Sequence, residues 1–315
     1  MKTLITGANG FIGAALRKKL SAESGHQVVS VTRRADTDAG DEHYVLDLCT
    51  ERLPEGSLTG VDAVVHTAAR VHVMRDRAAD PLAECRRTNR DVTLRLAQQA
   101  VNEGVKRFVF LSTAKVHGEE TEPGQVFSEL DVPAPEDPYA ISKLEAETEL
   151  QELGAREGME VVIIRPPLVY GPGVRANFQT MMRWVRRGIP LPLGAVHNQR
   201  SLVGLDNLVD LIGLCVHHPA AANQVFLAAD GEDVSTTQLL RLLAHAMHRP
   251  ARLLPVPVSV MQAMGKLAGK EPVLRRLCSN FQVSANKAQR RLGWQPPMSL
   301  QQGLALTVRT FLENE

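Results

Sequence analysis

The sequence predicts an α/β protein in which a doubly wound parallel sheet carries a smaller C-terminal lobe. Three observations predict it. Short β-branched runs alternate with amphipathic helical stretches through the first half of the chain. A glycine-rich turn stands between the first strand and the first helix. After Arg165 the alternation breaks at Pro166, Pro167, Gly171, Pro172 and Gly173, and the elements that follow are shorter and less regular. The chain has 315 residues, 44% hydrophobic and 23% charged, which is globular composition and room for two domains or one large one.

Strands are expected at 3–6, 28–32, 44–46, 63–66, 108–112 and 161–165, where Val, Ile, Thr and Phe cluster. Helical patterns fill the gaps at 11–22, 81–102 and 138–157, and Gly25, Gly104 and Gly158 close the connections back to the sheet. Residues 205–215 and 224–229 read as one more helix and strand able to rejoin the sheet. Residues 236–248, 258–267 and 300–311 read as helices of the lobe. The expected division is a nucleotide-binding domain at 1–165, rejoined by about 201–230, with the rest of 166–315 forming the lobe.

The first glycine turn reads Thr6-Gly7-Ala8-Asn9-Gly10-Phe11-Ile12-Gly13. A strand, this turn, a helix and a second strand in succession make a phosphate-binding loop. The glycines allow a tight turn and close backbone approach to a pyrophosphate, and the helix N-terminus presents free N–H groups to it. Gly7, Asn9, Gly10, Phe11, Ile12 and Gly13 are the candidate cofactor contacts here.

Asp137 and Pro138 supply a cap and a first residue for the helix at 138–157, so Tyr139 and Lys143 stand at i and i+4 on one face. A phenol titrates near pH 10, and a neighbouring ammonium favours its ionised form. That pair is suited to moving a proton on and off a substrate oxygen. Ser112 and Thr113 end the strand at 108–112, where a hydroxyl could hold the same oxygen.

These segments resemble the extended branch of the short-chain dehydrogenase/reductase superfamily, in which the loop spacing is GxxGxxG. The resemblance rests also on Asp47-Leu48, His66-Thr67-Ala68-Ala69, Asn89, Ser112 to Gly118, the Tyr139/Lys143 pair, Arg165-Pro166 and Val169-Tyr170-Gly171-Pro172, in order over about two hundred residues. It implies a Rossmann-type sheet and a catalytic set of Thr113, Tyr139 and Lys143. It further implies cofactor contacts at Asp47 and Leu48 around the adenine, and at Thr67, Ala68, Ala69, Asn89, Ser112, Tyr139, Lys143 and Pro166. His117 and Lys115 depart from the usual residues of their stretch. Ala114-Lys115 stands where dehydratases carry Asp-Glu, which argues against dehydration.

The strand at 28–32 is followed by Arg33 and Arg34 and not by an acid. NADP(H) is therefore the favoured cofactor, with guanidiniums for a 2′-phosphate, and NAD(H) the alternative. The resemblance also implies a UDP-sugar substrate. Thr113, Asn177, Phe178, Arg200 and Arg276 are its candidate contacts, with Arg275 an alternative to Arg276. Reduction of a 4-keto sugar nucleotide for surface polysaccharide is the favoured reaction. The alternatives are 4-epimerisation with tightly bound NAD and, more remotely, a non-catalytic dinucleotide-binding scaffold.

Net charge is +1, so no global field favours nucleic acid or a membrane surface. No apolar run approaches a membrane span, and the chain enters a strand directly, so a cytoplasmic protein is expected. Cys49, Cys85, Cys215 and Cys278 are widely spaced and form no metal-ligand pattern; no metal is expected. The family pattern implies a homodimer through helices 81–102 and 138–157. Leu94, Ala97 and Val101 on the first form one apolar row, and Val92, Leu96 and Ala100 a second row for a partner.

Overall fold

The computed structural model describes residues 1–35, 42–71, 79–269 and 271–314. Among these residues seven strands form one parallel sheet: β1 (Lys2–Thr6), β2 (Gln27–Thr32), β3 (Glu42–Val45), β4 (Ala63–His66), β5 (Arg107–Leu111), β6 (Glu160–Arg165) and β9 (Gln224–Leu227), in the order β3-β2-β1-β4-β5-β6-β9. The central strands are buried along nearly their whole length, as a sheet covered on both faces requires. Two further short strands, β7 (Leu168–Tyr170) and β8 (Leu202–Gly204), pair with each other outside this sheet.

On one face lie α1 (Phe11–Ser21) and α6 (Leu205–His217), whose Leu16, Leu20, Leu208 and Ile212 share a core with Ile5, Val65 and Val109 of the strands. The other face is covered by α2 (Pro81–Cys85) and α3 (Val92–Asn102), joined by a π-helical turn at Arg86–Asp91, and by α4 (Pro138–Glu157). Leu96, Ala97, Ala100, Ala146 and Leu150 pack there against Val64, Phe108 and Ile163. Both apolar rows of α3 thus turn inward: Val92, Leu96, Ala97 and Ala100 are all buried and Val101 packs beside them. The second row anticipated for a partner is spent on this sheet. Leu94 is the apolar residue of α3 that stays half-buried on the outer side.

The lobe is built from α5 (Ala176–Arg187), α7 (Thr236–Ala246), α8 (Val258–Leu267), α9 (Glu271–Cys278) and α11 (Leu300–Glu313), around Tyr170, Phe178, Met182, Leu240 and Leu304. The helix α10 (Asn286–Leu292) instead returns to the sheet, placing Ala288 and Leu292 in the core with α6. The chain therefore passes repeatedly between sheet and lobe. Arg107 fastens one passage: its guanidinium donates to the carbonyls of Cys215 (3.0 Å), Val216 (3.1 Å) and His218 (3.0 Å) at the end of α6.

Candidate active site

The sheet order reverses between β1 and β4, so the loops after these two strands part and leave a crevice at their C-terminal ends, where open α/β sheets bind ligands. The glycine loop lines it. Gly7 has φ +68°, and a Cβ there would lie 2.9 Å from the Ala68 nitrogen. A Cβ on Gly13 would come within 2.8 Å of Thr67 Oγ1 and collide with the Gly7 carbonyl. The loop is closed by Gly10 N–H donating to Gly7 O (2.8 Å), and Gly7 N–H to Val31 O (2.9 Å). Gly10 caps α1 without a side chain, and the first turn carries no acid, so its N–H groups and positive dipole end face the crevice. Asn9 is exposed there, while Phe11 and Ile12 are half-buried behind it.

Thr67, Ala68 and Ala69 border the same crevice; Thr67 donates to Thr6 O at 2.7 Å. Behind them His66 is fully buried, its Nδ1 2.6 Å from Thr6 Oγ1 and its ring stacked on Phe110. Burial, reinforced by the Lys143 charge, pushes its pKa down to about 3, so the imidazole is neutral.

Tyr139 and Lys143 face the crevice from α4. The helix starts as the sequence predicts: Asp137 accepts from Ala140 N–H at 2.7 Å and Pro138 occupies the first turn. Lys143 is 1% exposed, with Nζ 4.0 Å above the Phe110 ring. Desolvation lowers its pKa to about 7, against the opposing pull of Glu147. The Tyr139 phenol is raised, first by desolvation and then by the Asp137 carboxylate. This differs from the expectation that Lys143 would favour the phenolate. In the chain without its dinucleotide, burial and the Asp137 carboxylate set the direction.

Thr113 is buried at the end of β5, accepting from Lys115 N–H at 3.3 Å, and the neighbouring Ser112 hydroxyl is buried without a hydrogen-bond partner among the described residues. Lys115 acts as a tie. Its ammonium joins Glu119 (2.6 Å) and Asp137 (2.8 Å), linking the threonine turn to the cap of the tyrosine helix. A second connection lies deeper. Arg165 at the end of β6 donates to both carboxylate oxygens of Glu147 on α4 (3.1 Å each) and to His117 Nε2 (2.9 Å). Burial and Arg165 depress His117 to about 4, which keeps it a neutral acceptor. Neither link follows from the sequence, although a lysine and a histidine in a stretch otherwise ending a buried strand are its visible trace. Pro166, buried, accepts from Ala114 N–H at 2.9 Å and completes the wall.

Asn89 is buried, and its amide is spent on protein. It receives Arg70 N–H (2.8 Å) and donates to Arg70 O (3.1 Å) and Ser142 Oγ (3.0 Å). It thus pins the loop after β4 to α4. At the far end of the crevice Asp47 holds Cys49 N–H (2.9 Å), which is the main reason its pKa is lowered, and Leu48 O accepts from Arg95. Arg33 and Arg34 are exposed at the end of β2, Arg33 within electrostatic reach of Asp47.

On the lobe side, Arg200 is held by donation to the carbonyls of Arg276 (2.9 Å) and Ser279 (3.2 Å), over the Phe281 ring. Arg200 and Arg276 are therefore together, whereas Arg275 turns outward to Glu120 (2.9 Å) and Glu136 (3.4 Å). Asn177 is exposed at the start of α5. The Phe178 ring is 1% exposed and stacks on Tyr170 in the lobe core, so it does not itself face a substrate.

Residues 3–229 match the model of the NAD dependent epimerase/dehydratase family. The chain belongs to that family. As a family member it is an enzyme of the extended short-chain dehydrogenase/reductase type. It is 48% identical over 98% of its length to a UDP-glucose 4-epimerase of Vibrio cholerae, covering 95% of that protein. Among solved structures it is similar to UDP-glucose 4-epimerase with UDP-glucose from Thermotoga maritima, at 25% identity and TM-score 0.78 over 100% of this chain and 99% of that one. The UDP-glucuronic acid 4-epimerase of Bacillus cereus in complex with NAD shares the fold, at 21% identity and TM-score 0.81, covering 100% and 99%.

The residues present fit the dinucleotide that this family implies. The glycine cradle has no room for a Cβ at Gly7 or Gly13, the α1 N-terminus is uncapped, and the buried Ser112 hydroxyl lacks a partner among the described residues. The loop from Gly7 to Gly13 would hold the diphosphate, Asp47 and Leu48 the adenine end, and Lys143 the ribose next to the reacting ring.

Proposed function

We propose that the chain is a UDP-hexose 4-epimerase that keeps NAD bound through turnover. The observation that carries this reading is the 48% identity, over nearly the whole of both chains, to a UDP-glucose 4-epimerase. An intact Thr113, Tyr139 and Lys143 supports it. When bound, the nicotinamide supplies the acceptor and later the donor of hydrogen at C4 of the sugar. The protein's own part is to manage the proton. With the positively charged nicotinamide bound beside it, Tyr139 would stand as the phenolate, take the proton of the C4 hydroxyl and give it back once the sugar has presented its other face, while Thr113 Oγ1 holds the same oxygen. Arg200 and Arg276 suit the substrate diphosphate, which lets the sugar turn while its anchor stays fixed.

The reaction favoured from sequence, reduction of a 4-keto sugar with NADPH, depends on Arg33 and Arg34. Both are exposed, and Arg33 shares its field with the Asp47 carboxylate, which lessens its value for a 2′-phosphate. The deciding experiment is to incubate purified protein with UDP-glucose and no added cofactor. UDP-galactose is expected to form, and denaturation should release NAD. Absence of conversion, with NADPH consumed on a 4-keto sugar nucleotide, would overturn the reading in favour of the reductase.

A further inference from the structure

We propose that the α8–α9 hairpin is a docking surface for an anionic phospholipid membrane. On α8, Val260, Met264 and Leu267 stand at i, i+4 and i+7, and they are 47%, 64% and 92% exposed. They share one side of the helix, while Met261 and Gly265 on the opposite side are buried against the lobe. Val273 on α9 extends the patch at 48% exposed, and Leu254, just before α8, at 51%. Single exposed apolar residues are ordinary, but a continuous row on one helix marks a surface that meets something apolar.

Charge identifies the partner. Residues 249–276, which run from the segment before α8 to α9, hold six Lys and Arg and one acid, Glu271, although the whole chain is only +1. Arg249 and Arg252, in the segment between α7 and α8, and Lys266 on α8 are exposed. An apolar helical face within a segment of this net charge, with Lys266 on the same helix, fits the headgroup layer of anionic lipids and would repel a second basic lobe of the same kind. The hairpin also adjoins the substrate side, because Arg200 donates to the Arg276 carbonyl on α9. Docking there would hold the mouth of the substrate crevice near the bilayer surface.

The test is co-sedimentation of the full chain with phosphatidylglycerol-containing vesicles and with pure phosphatidylcholine vesicles, at low and high salt. Binding to the anionic vesicles is expected, weakened by salt, with little binding to phosphatidylcholine. Met264→Glu with Leu267→Glu should weaken binding roughly tenfold or more. Arg249→Gln, Arg252→Gln and Lys266→Gln together leave the apolar face intact and should lose the preference for anionic lipid, which covers the case of an unstable double glutamate. No binding to anionic vesicles at low salt overturns the proposal. So does binding that both variants leave unchanged, or a double variant whose sole effect is to break a self-associated species.

Discussion

Tyr139 and Lys143 lie one helical turn apart, yet burial moves both toward their neutral forms, the phenol upward and the ammonium down to about 7. Proton transfer at the substrate oxygen therefore needs the positive charge of the bound nicotinamide to bring the phenol back toward its ionised form. Tyr139→Phe should leave the fold and dinucleotide binding intact while lowering kcat by roughly 10²–10⁴-fold, measured by epimerase assay beside a cofactor titration. Two neighbouring histidines set an acid limit. His66 and His117 are held neutral at about 3 and 4, below the ordinary value near 6.5. Between those values the unfolded chain binds more protons than the folded one, so stability rises with pH. It should be intact above about pH 6.5 and fall progressively as pH drops toward 4. Melting temperature against pH checks this, and His117→Tyr, which keeps an oxygen for Arg165, should flatten the curve between about pH 6.5 and 4 while leaving the His66 share.

At the scale of elements, the site is a set of ties between loops and helices. Asp137 both caps α4 and receives Lys115, so one carboxylate fixes the start of the tyrosine helix and its distance from Thr113. Asp137→Ala should cost about 1 kcal/mol of stability, while Asp137→Asn keeps the cap and costs less; urea denaturation separates them. Gly13→Ala is expected to disrupt folding or dinucleotide binding outright, because its Cβ has no space beside Thr67 and the Gly7 carbonyl, and a thermal melt with and without NAD would show it. The sheet and α4 are legible in the sequence because buried β-branched runs and a capped start are local signals. The strands β7 and β8 are not, since three-residue strands leave no periodicity to read. Phe178 departs from expectation for a related reason: a motif places a residue on a helix but does not say which way its ring points. The bonds of Asn89 to Arg70 and Ser142 are not legible either, because no sequence pattern announces the π-helical turn at Arg86–Asp91 that carries it.

For the whole molecule, the expected assembly is a homodimer through α2–α3 and α4. Their outer side shows Arg86 and Arg90 reaching Glu145, with Leu94, Ile141 and Leu144 half-buried between the charges. Sedimentation velocity at micromolar concentration should give twice the monomer mass; a single monomeric species would mean that this ladder of charges finishes the surface unaided. The return of the chain from lobe to sheet bears on the division expected at residue 165. Strand β9 and helix α6 are made from residues that follow the first lobe segment, and Arg107 is satisfied by carbonyls of that later helix. A fragment ending at 165 would leave β6 as a bare edge and a buried guanidinium without those acceptors, and should be insoluble on expression. For the same reason, sugar specificity could not be exchanged between relatives by a single crossover. A chimera would need two separate grafts, one spanning β7 to β8 and the other α7 to α9, with the recipient's own β9 left in place to close the sheet between them.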